Sequence, residues 1–417
     1  MRRRSFLGLG AAPLLTPLLA SCSSEEENEV EIFSWWTGAG EEEGLTELSR
    51  IYRNRHPGVE FQNSAIAGGG GGAAQAKLAE RLDAGDPPDS FQGHVGAELR
   101  DHIDSGVIQD LSKLYKEEFW QGTFHPSLME GLTYDGKIYG VPVNVHRANL
   151  MWHKPEIAEE FNIDEKTTWG EFMSVAEKLP KGMTLLAIGP RWTQLQLLET
   201  VLIGELGPEK YKKLWTGKLN WQSPDVNFAI STFTSVMTMT DIENPGSDWQ
   251  PQLDKVMNDE AAFAVVGDWA YSYLTSANGH EYEKDYDATP APGTEKVFDY
   301  LSDAFILPVG AEHSKYAKSW LSVCGSRNGQ NQFNTKKGSI PARSDVDKSE
   351  YESYLAWNLE QWDDPDIEVV GSLAHGAVAR PAFQAAIEEA LGELVEKDQS
   401  PSVFTKAVDE AYRDTGQ

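Results

Sequence analysis

The sequence predicts an α/β protein built as two lobes, and three observations carry that reading. At 417 residues the chain exceeds the size at which a single hydrophobic core stops growing. From Val30 onward, strand-like and helix-like segments alternate, which argues for a mainly parallel sheet flanked by helices. A Pro/Gly-rich connector, "ATPAPGTEK", then separates a helix-rich middle from "VFDYLSDAFILPV", which reads as strands returning toward the first lobe.

The first 21 residues stand outside the fold. "MRRRSFLGLGAAPLLTPLLASC" has three arginines and an apolar run too short to span a membrane, with small residues before Cys22. It reads as an export signal, residues 1–21. Leu19-Ala20-Ser21-Cys22 looks like a lipobox, in which Cys22 receives lipid and becomes the mature first residue. Arg3-Arg4 followed by Ser5-Phe6-Leu7 also resembles a twin-arginine signal. Residues 22–29 are acidic and polar and are expected to form a flexible tether between lipid and domain.

The folded part opens with the strand "VEIFSW" and the helix "EEGLTELSRIYRNRH", whose Leu45, Leu48, Ile51 and Tyr52 fall at helical spacing. The strand "GVEFQNSAI" follows, then the helix "AAQAKLAERLDAG" ending at Gly85, the strand "PDSFQG" and the helix-like "VGAELRDHIDSG". In sheets of this kind ligands sit beyond the carboxyl ends of the strands. Trp35 and Trp36 occupy that place after the first strand, and His94 after a later one. From about 143 to 297 helices dominate: "TTWGEFMSVAEKL" with a threonine cap, "WTQLQLLETVLIGELG" and "SPDVNFAISTFTSVMTM". The strand "AAFAVV" stops at Gly267 before the helix-like "DWAYSYL", and the chain beyond about 345 is helical again.

Charge and composition exclude several classes. A formal net charge of −29 makes nucleic acid an unsuitable partner, since phosphate binding needs a basic face. With only Cys22 and Cys324 there is no disulfide framework, and Cys324 reads as a small buried hydrophobe. The histidines lack metal-site spacing, so no metal is expected. The run Gly68 to Gly72 lacks the Gly-Lys-Ser/Thr of a phosphate loop, and a flexible turn before a helix is the better account. No cofactor is implied.

Six segments in order, "WWTGAGEEEGL", "AIAGGGGG", "GDPPDSFQGH", "VVGDWA", "FNTKKGSIPAR" and "AHG", give nearly the whole mature chain a family look. Together they resemble extracellular solute-binding protein family 1, the sugar-binding lipoproteins of ABC importers, and most closely its glucose/mannose-binding group. The resemblance implies a two-lobed periplasmic-binding-protein (type II) fold with a hinge between lobes. One lobe would hold 29–142 plus 298–342, the other 143–297 plus 343–417, with the chain crossing more than once.

It also implies that Trp36, Glu41, His94, Trp269, Asp303, Lys337 and His375 face the sugar. Chemistry agrees with these residue types. A pyranose shows C–H groups on one face, which a flat ring covers, and aromatic packing of this sort adds about 0.5–1.5 kcal/mol. Its rim hydroxyls suit charged partners, whose hydrogen bonds contribute roughly 1.5–3 kcal/mol each. Trp35 is expected to divide between core and ligand, with Trp36, nearer the turn, favoured for contact. Some relatives carry lysine where His94 stands, which leaves fine specificity open. Asn144 and His146, near the expected crossing, are further candidates for contact, hinge or core.

The expected function is a non-catalytic, monomeric receptor. It would be lipid-anchored outside the cytoplasm and deliver a monosaccharide (glucose, with mannose and galactose as further candidates) to ABC permease subunits in the membrane. Alternatives are a receptor for a maltose-like oligosaccharide and an exported glycoside hydrolase using Glu41 and Asp303. Trp36→Ala and Asp303→Ala are each expected to weaken binding while leaving folding intact.

Overall fold

The computed structural model describes residues 28–38, 40–67, 72–242, 248–397 and 399–417. The signal peptide with Arg3-Arg4, Cys22, the tether up to residue 27 and Gly68 to Gly71 lie outside the described residues.

The alternation at the start of the chain produces a five-stranded sheet ordered Glu60–Ala65, Glu29–Ser34, Ser90–His94, Asp303–Ile306, Val141–Pro142. The first three strands are parallel, as expected. The last two pairings are antiparallel, so the sheet is mixed rather than mainly parallel. The reason lies in the route of the chain: Asp303–Ile306 re-enters from the second half of the molecule and meets Ser90–His94 head-on. Its register sets Asp303 opposite His94 and Ala304 opposite Gly93.

A second five-stranded sheet is ordered Thr240–Ile242, Thr184–Ile188, Ala261–Val265, Leu150–His153, Asp287–Pro290. A third, three-stranded ribbon is ordered Glu368–Gly371, Val297–Leu301, His146–Arg147, and its last two strands lie on the chain's passages between the two sheets. The chain thus leaves the first sheet through 141–153 and returns through 287–306. These two crossings pair antiparallel, Tyr300 opposite Arg147 and Leu301 opposite His146. Short extended crossings between two sheets make a two-lobed fold with a hinge.

The buried apolar residues fall into two clusters, the first of which also takes in one face of the second sheet through Trp152, Ala187 and Ala264. Val30, Ile32, Phe91 and Phe305 are buried with Leu45 and Leu48 of the helix Glu41–Arg55, whose apolar stripe packs inward at the expected spacing. Leu186, Phe263, Leu198 and Phe233 form the second core. The helix Arg191–Trp215 supplies much of it and breaks at Gly207-Pro208, where the helical pattern in the sequence also stopped. The helix Trp169–Ser174 starts at a capping box in which Glu171 N donates to Thr168 Oγ1 and Thr168 N to Glu171 Oε2. Cys324 is fully buried, as expected.

Candidate functional site

Where the two halves face each other, one cavity of about 70 Å³ is lined by Trp35, Trp36, Glu41, His94, Trp269, Asp303, Lys337 and His375. Sequence positions more than 300 residues apart therefore meet in a single space. His146 lines it too, whereas Asn144 supports it from beneath.

The N-terminal half contributes strand ends. Trp35 and Trp36 follow the strand Glu29–Ser34, and Trp35 N donates to Gln92 Oε1 (3.1 Å) of the neighbouring strand. The Trp35 ring lies 5.1 Å from that of His94. Trp36 is only 1% exposed and wedged between Phe305 and Phe333, with ring centroids 5.6 and 4.8 Å away. It borders the cavity yet belongs to the core as well. The expectation that Trp36→Ala leaves folding intact is thereby corrected, because removing a packed indole costs about 3–5 kcal/mol.

Asp303 is held from both sides. Gln92 Nε2 donates to Oδ1 and Asn144 Nδ2 to Oδ2, each at 2.7 Å, while Asp303 N donates to Asn144 Oδ1 (2.8 Å). Burial pushes this carboxyl up, but the charges of His94, His146 and Lys337 and the Asn144 bond outweigh it and hold it below its ordinary value. Asp303 is thus a fixed, ionised acceptor. Asp303→Ala would strip Gln92 and Asn144 of their buried acceptor, so this substitution too disturbs more than the cavity.

His94 is turned by Glu98: Glu98 Oε2 lies 2.7 Å from Nδ1, and His94 N donates to Glu98 Oε1 (3.0 Å). Burial would depress this imidazole. The charge and hydrogen bond of Glu98, with Asp303 beyond, outweigh burial and raise it above its ordinary value. His146 bonds through Nδ1 to Asp268, which also accepts from Arg147 N (3.1 Å) and Asn358 Nδ2 (2.9 Å). Glu41 Oε2 accepts from Gly38 N (3.2 Å), and its other oxygen lies 3.3 Å from Lys337 Nζ.

The second half contributes rings. Trp269 starts the short helix Trp269–Ser272, and a Cβ on Gly267 would lie 2.2 Å from its indole, so glycine is what admits the ring. Trp269 Nε1 has no acceptor among the described residues. His375 stands 5.3 Å from Trp269 and 5.9 Å from His94, joining the ring contacts of the two halves. Among the described residues no cluster of three or more metal-ligating side chains occurs.

Strand-end rings, buried charges and a cavity between two sheets have relatives. Residues 27–331 match the family described as bacterial extracellular solute-binding protein. The chain belongs to that family. As an extracellular solute-binding protein it is assigned an extracytoplasmic location, and among the described residues no helix is long and apolar enough to cross a membrane.

An uncharacterized ABC transporter extracellular-binding protein of Pyrococcus horikoshii is 29% identical over 96% of this chain and 91% of its own length. A glucose-binding protein of Saccharolobus solfataricus is 24% identical over 71% of this chain and 58% of its own. Among solved structures, a bacterial solute receptor with exclusive preference for β-D-galactopyranose superposes with a TM-score of 0.78. It shares 13% identity and covers 94% of this chain and 100% of its own. A chitin oligosaccharide binding protein has the same TM-score at 19% identity, covering 93% and 98%. At such identities the likeness is one of fold.

The cavity of this solute-binding protein also holds rings that the sequence reading missed. Trp192 and Trp249 line it, with ring centroids 5.9 and 6.4 Å from Trp269. The signal that found Trp35 could have found them. Trp192 follows the strand Thr184–Ile188 at a helix start, and Trp249 immediately precedes the helix Gln250–Met257.

Proposed function

We propose that this protein is the sugar receptor of an ABC importer and that it captures a monosaccharide, glucose in the first place with mannose and galactose as further candidates. The lobes 29–142 plus 298–342 and 143–297 plus 343–417 close on the ring, and the closed form delivers it to the permease. The protein acts as a monomer, held to the outer face of the membrane through lipid on Cys22.

The observation that carries this reading is the pairing, in one small cavity, of indole faces with fixed ionised groups. Trp35, Trp269, Trp192 and Trp249 offer flat apolar surface for C–H groups; Asp303, Glu41 and Lys337 offer charged partners for hydroxyls. At about 70 Å³ the cavity is small, which favours one ring over several. A longer sugar needs an open-ended row of subsites. Binding at micromolar strength requires only about −8 kcal/mol, so a few charge-assisted bonds and two stacked faces leave room for ordering and closure.

The carboxylates favour a receptor over a hydrolase. A glycosidase needs a carboxyl raised to serve as acid. Asp303 is instead driven toward ionisation, and Glu41 is occupied by Lys337.

Calorimetric titration with glucose, mannose, galactose, a pentose and maltose tests the proposal. Micromolar binding of a hexose with no turnover of aryl glycosides is expected. Binding of maltose without binding of any monosaccharide would overturn the ligand assignment, and sustained hydrolysis abolished by Glu41→Gln would overturn the receptor.

A further inference from the structure

Behind His375 lies a set of fully buried polar groups that do not line the cavity. Ser372, Glu199 and Asp299 come from the turn after Glu368–Gly371, the middle of the helix Arg191–Trp215 and the strand Val297–Leu301. Ser372 Oγ lies 2.9 and 3.1 Å from the two Glu199 oxygens and 2.9 Å from His375 Nδ1. Ala374 N donates to Glu199 Oε2 (2.8 Å). Among the described residues neither Asp299 oxygen accepts a hydrogen bond, and its carboxyl abuts Glu199.

Proton counting orders this chain. Two buried carboxyls side by side do not both ionise readily, and the one without donors carries the proton. Asp299 is accordingly pushed well above its ordinary value, by burial first and then by the charge and hydrogen bond of Glu199. Glu199 is raised to about 7 by burial, against the donors of Ala374, Ser372 and Asp299. Above about pH 7, where the spectra below are to be taken, the one remaining proton sits on Asp299 and Glu199 only accepts. A serine hydroxyl has a single proton, so Ser372 spends it on Glu199 and turns a lone pair to His375, whose Nδ1 must then be the donor. A neutral imidazole protonated at Nδ1 is an acceptor at Nε2. His375 is neutral, held far below its ordinary value by burial and then by the charges of His94 and His146. Its Nε2 has no hydrogen bond among the described residues, and the residue lines the cavity. Arg147 and Tyr211 are the other titratable groups beside the carboxyl pair.

We propose that Glu199, acting through Ser372, is a positioning residue that locks His375 as the Nδ1–H tautomer and so presents a bare nitrogen acceptor to the ligand. The cavity then selects a ligand with a hydroxyl donor at that point. This second half rests on the sugar-receptor reading; the tautomer does not.

Long-range proton–nitrogen spectra of histidine-labelled protein without sugar test it, with His375→Asn to assign the signals. In the wild type the His375 Nδ1 signal should be of the protonated class and Nε2 of the unprotonated class. In Glu199→Gln the Ala374 amide keeps the side-chain oxygen, so the carboxamide nitrogen faces Ser372 and the hydroxyl turns toward Nδ1. The two classes should then exchange. Ser372→Ala removes the relay and should move the proton to Nε2 as well. An Nε2–H tautomer in the wild type, or an unchanged tautomer in both variants, overturns the proposal whatever the protein binds. If the tautomer moves as expected, sugar affinity should fall by at least about tenfold in the same variants; tautomer exchange with unchanged sugar affinity overturns the selection role alone.

Discussion

Lys337 Nζ lies 3.3 Å from Glu41 Oε1, with the lysine side chain 3% and the glutamate 26% exposed. A cation at the end of the helix Arg327–Lys337 is thereby neutralised by the first residue of the helix Glu41–Arg55, and the same contact forms one wall of the cavity. Substituting Glu41→Gln leaves a buried ammonium with weaker compensation. Stability should fall by about 1–2 kcal/mol, less than for a fully buried pair because Glu41 is partly solvated. Sugar affinity should drop at least about tenfold, read by denaturant titration and calorimetry.

Trp36 and Asp303 should separate in their effects. Trp36→Ala empties the space between Phe305 and Phe333 and should cost about 3–5 kcal/mol of stability, visible as a fall in Tm even without sugar. Asp303→Asn keeps the shape but loses the charge and sets an amide nitrogen against the donor of Gln92 or Asn144. It should weaken sugar binding by at least about tenfold, about 1.4 kcal/mol, and an unchanged affinity would remove Asp303 from the site.

Two cavity histidines give stability opposite slopes around their ordinary value of 6.5. His375 is depressed, so on acidification through 6.5 the unfolded chain takes up a proton that the native state refuses, and stability falls. His94 is raised, so its contribution is full below 6.5 and is lost as pH rises through its folded value. Urea midpoints between about pH 5 and 9 should show His375→Asn flattening the acid side and His94→Gln flattening the alkaline side. The reverse assignment would refute these environments.

Closure should depend on Gly96. A Cβ there would lie 2.4 Å from Ala377 O, and φ is +132°, which side chains avoid. The neighbouring amides of Ala97 and Glu98 donate to Ala377 O (3.1 Å) and Gly376 O (2.9 Å), so this contact joins the end of the first sheet to the segment bearing His375. Gly96→Ala should force the segments apart, enlarge the radius of gyration in solution scattering and weaken binding by at least about tenfold.

Anchoring is tested at Cys22. Cys22→Ser should release the protein from the membrane fraction into the medium without changing its sugar affinity; continued membrane retention would argue against lipid at that position.

Much of this protein was legible from local pattern. Helical spacing located Glu41–Arg55, the Thr168 cap located the helix that follows it, and strand ends pointed to Trp35, Trp36 and His94, because each rests on contacts within a few residues. The resemblance supplied Asp303, Lys337 and His375, which no periodicity could single out in a chain so rich in charge. Only the tertiary structure decided the rest. It paired Asp303 with His94 across antiparallel strands, buried Trp36 between Phe305 and Phe333, brought in Trp192 and Trp249, and set Glu199 behind His375. These relationships depend on the chain crossing twice between two sheets, and contacts closed over 100 to 300 residues leave no trace in the order of neighbouring side chains.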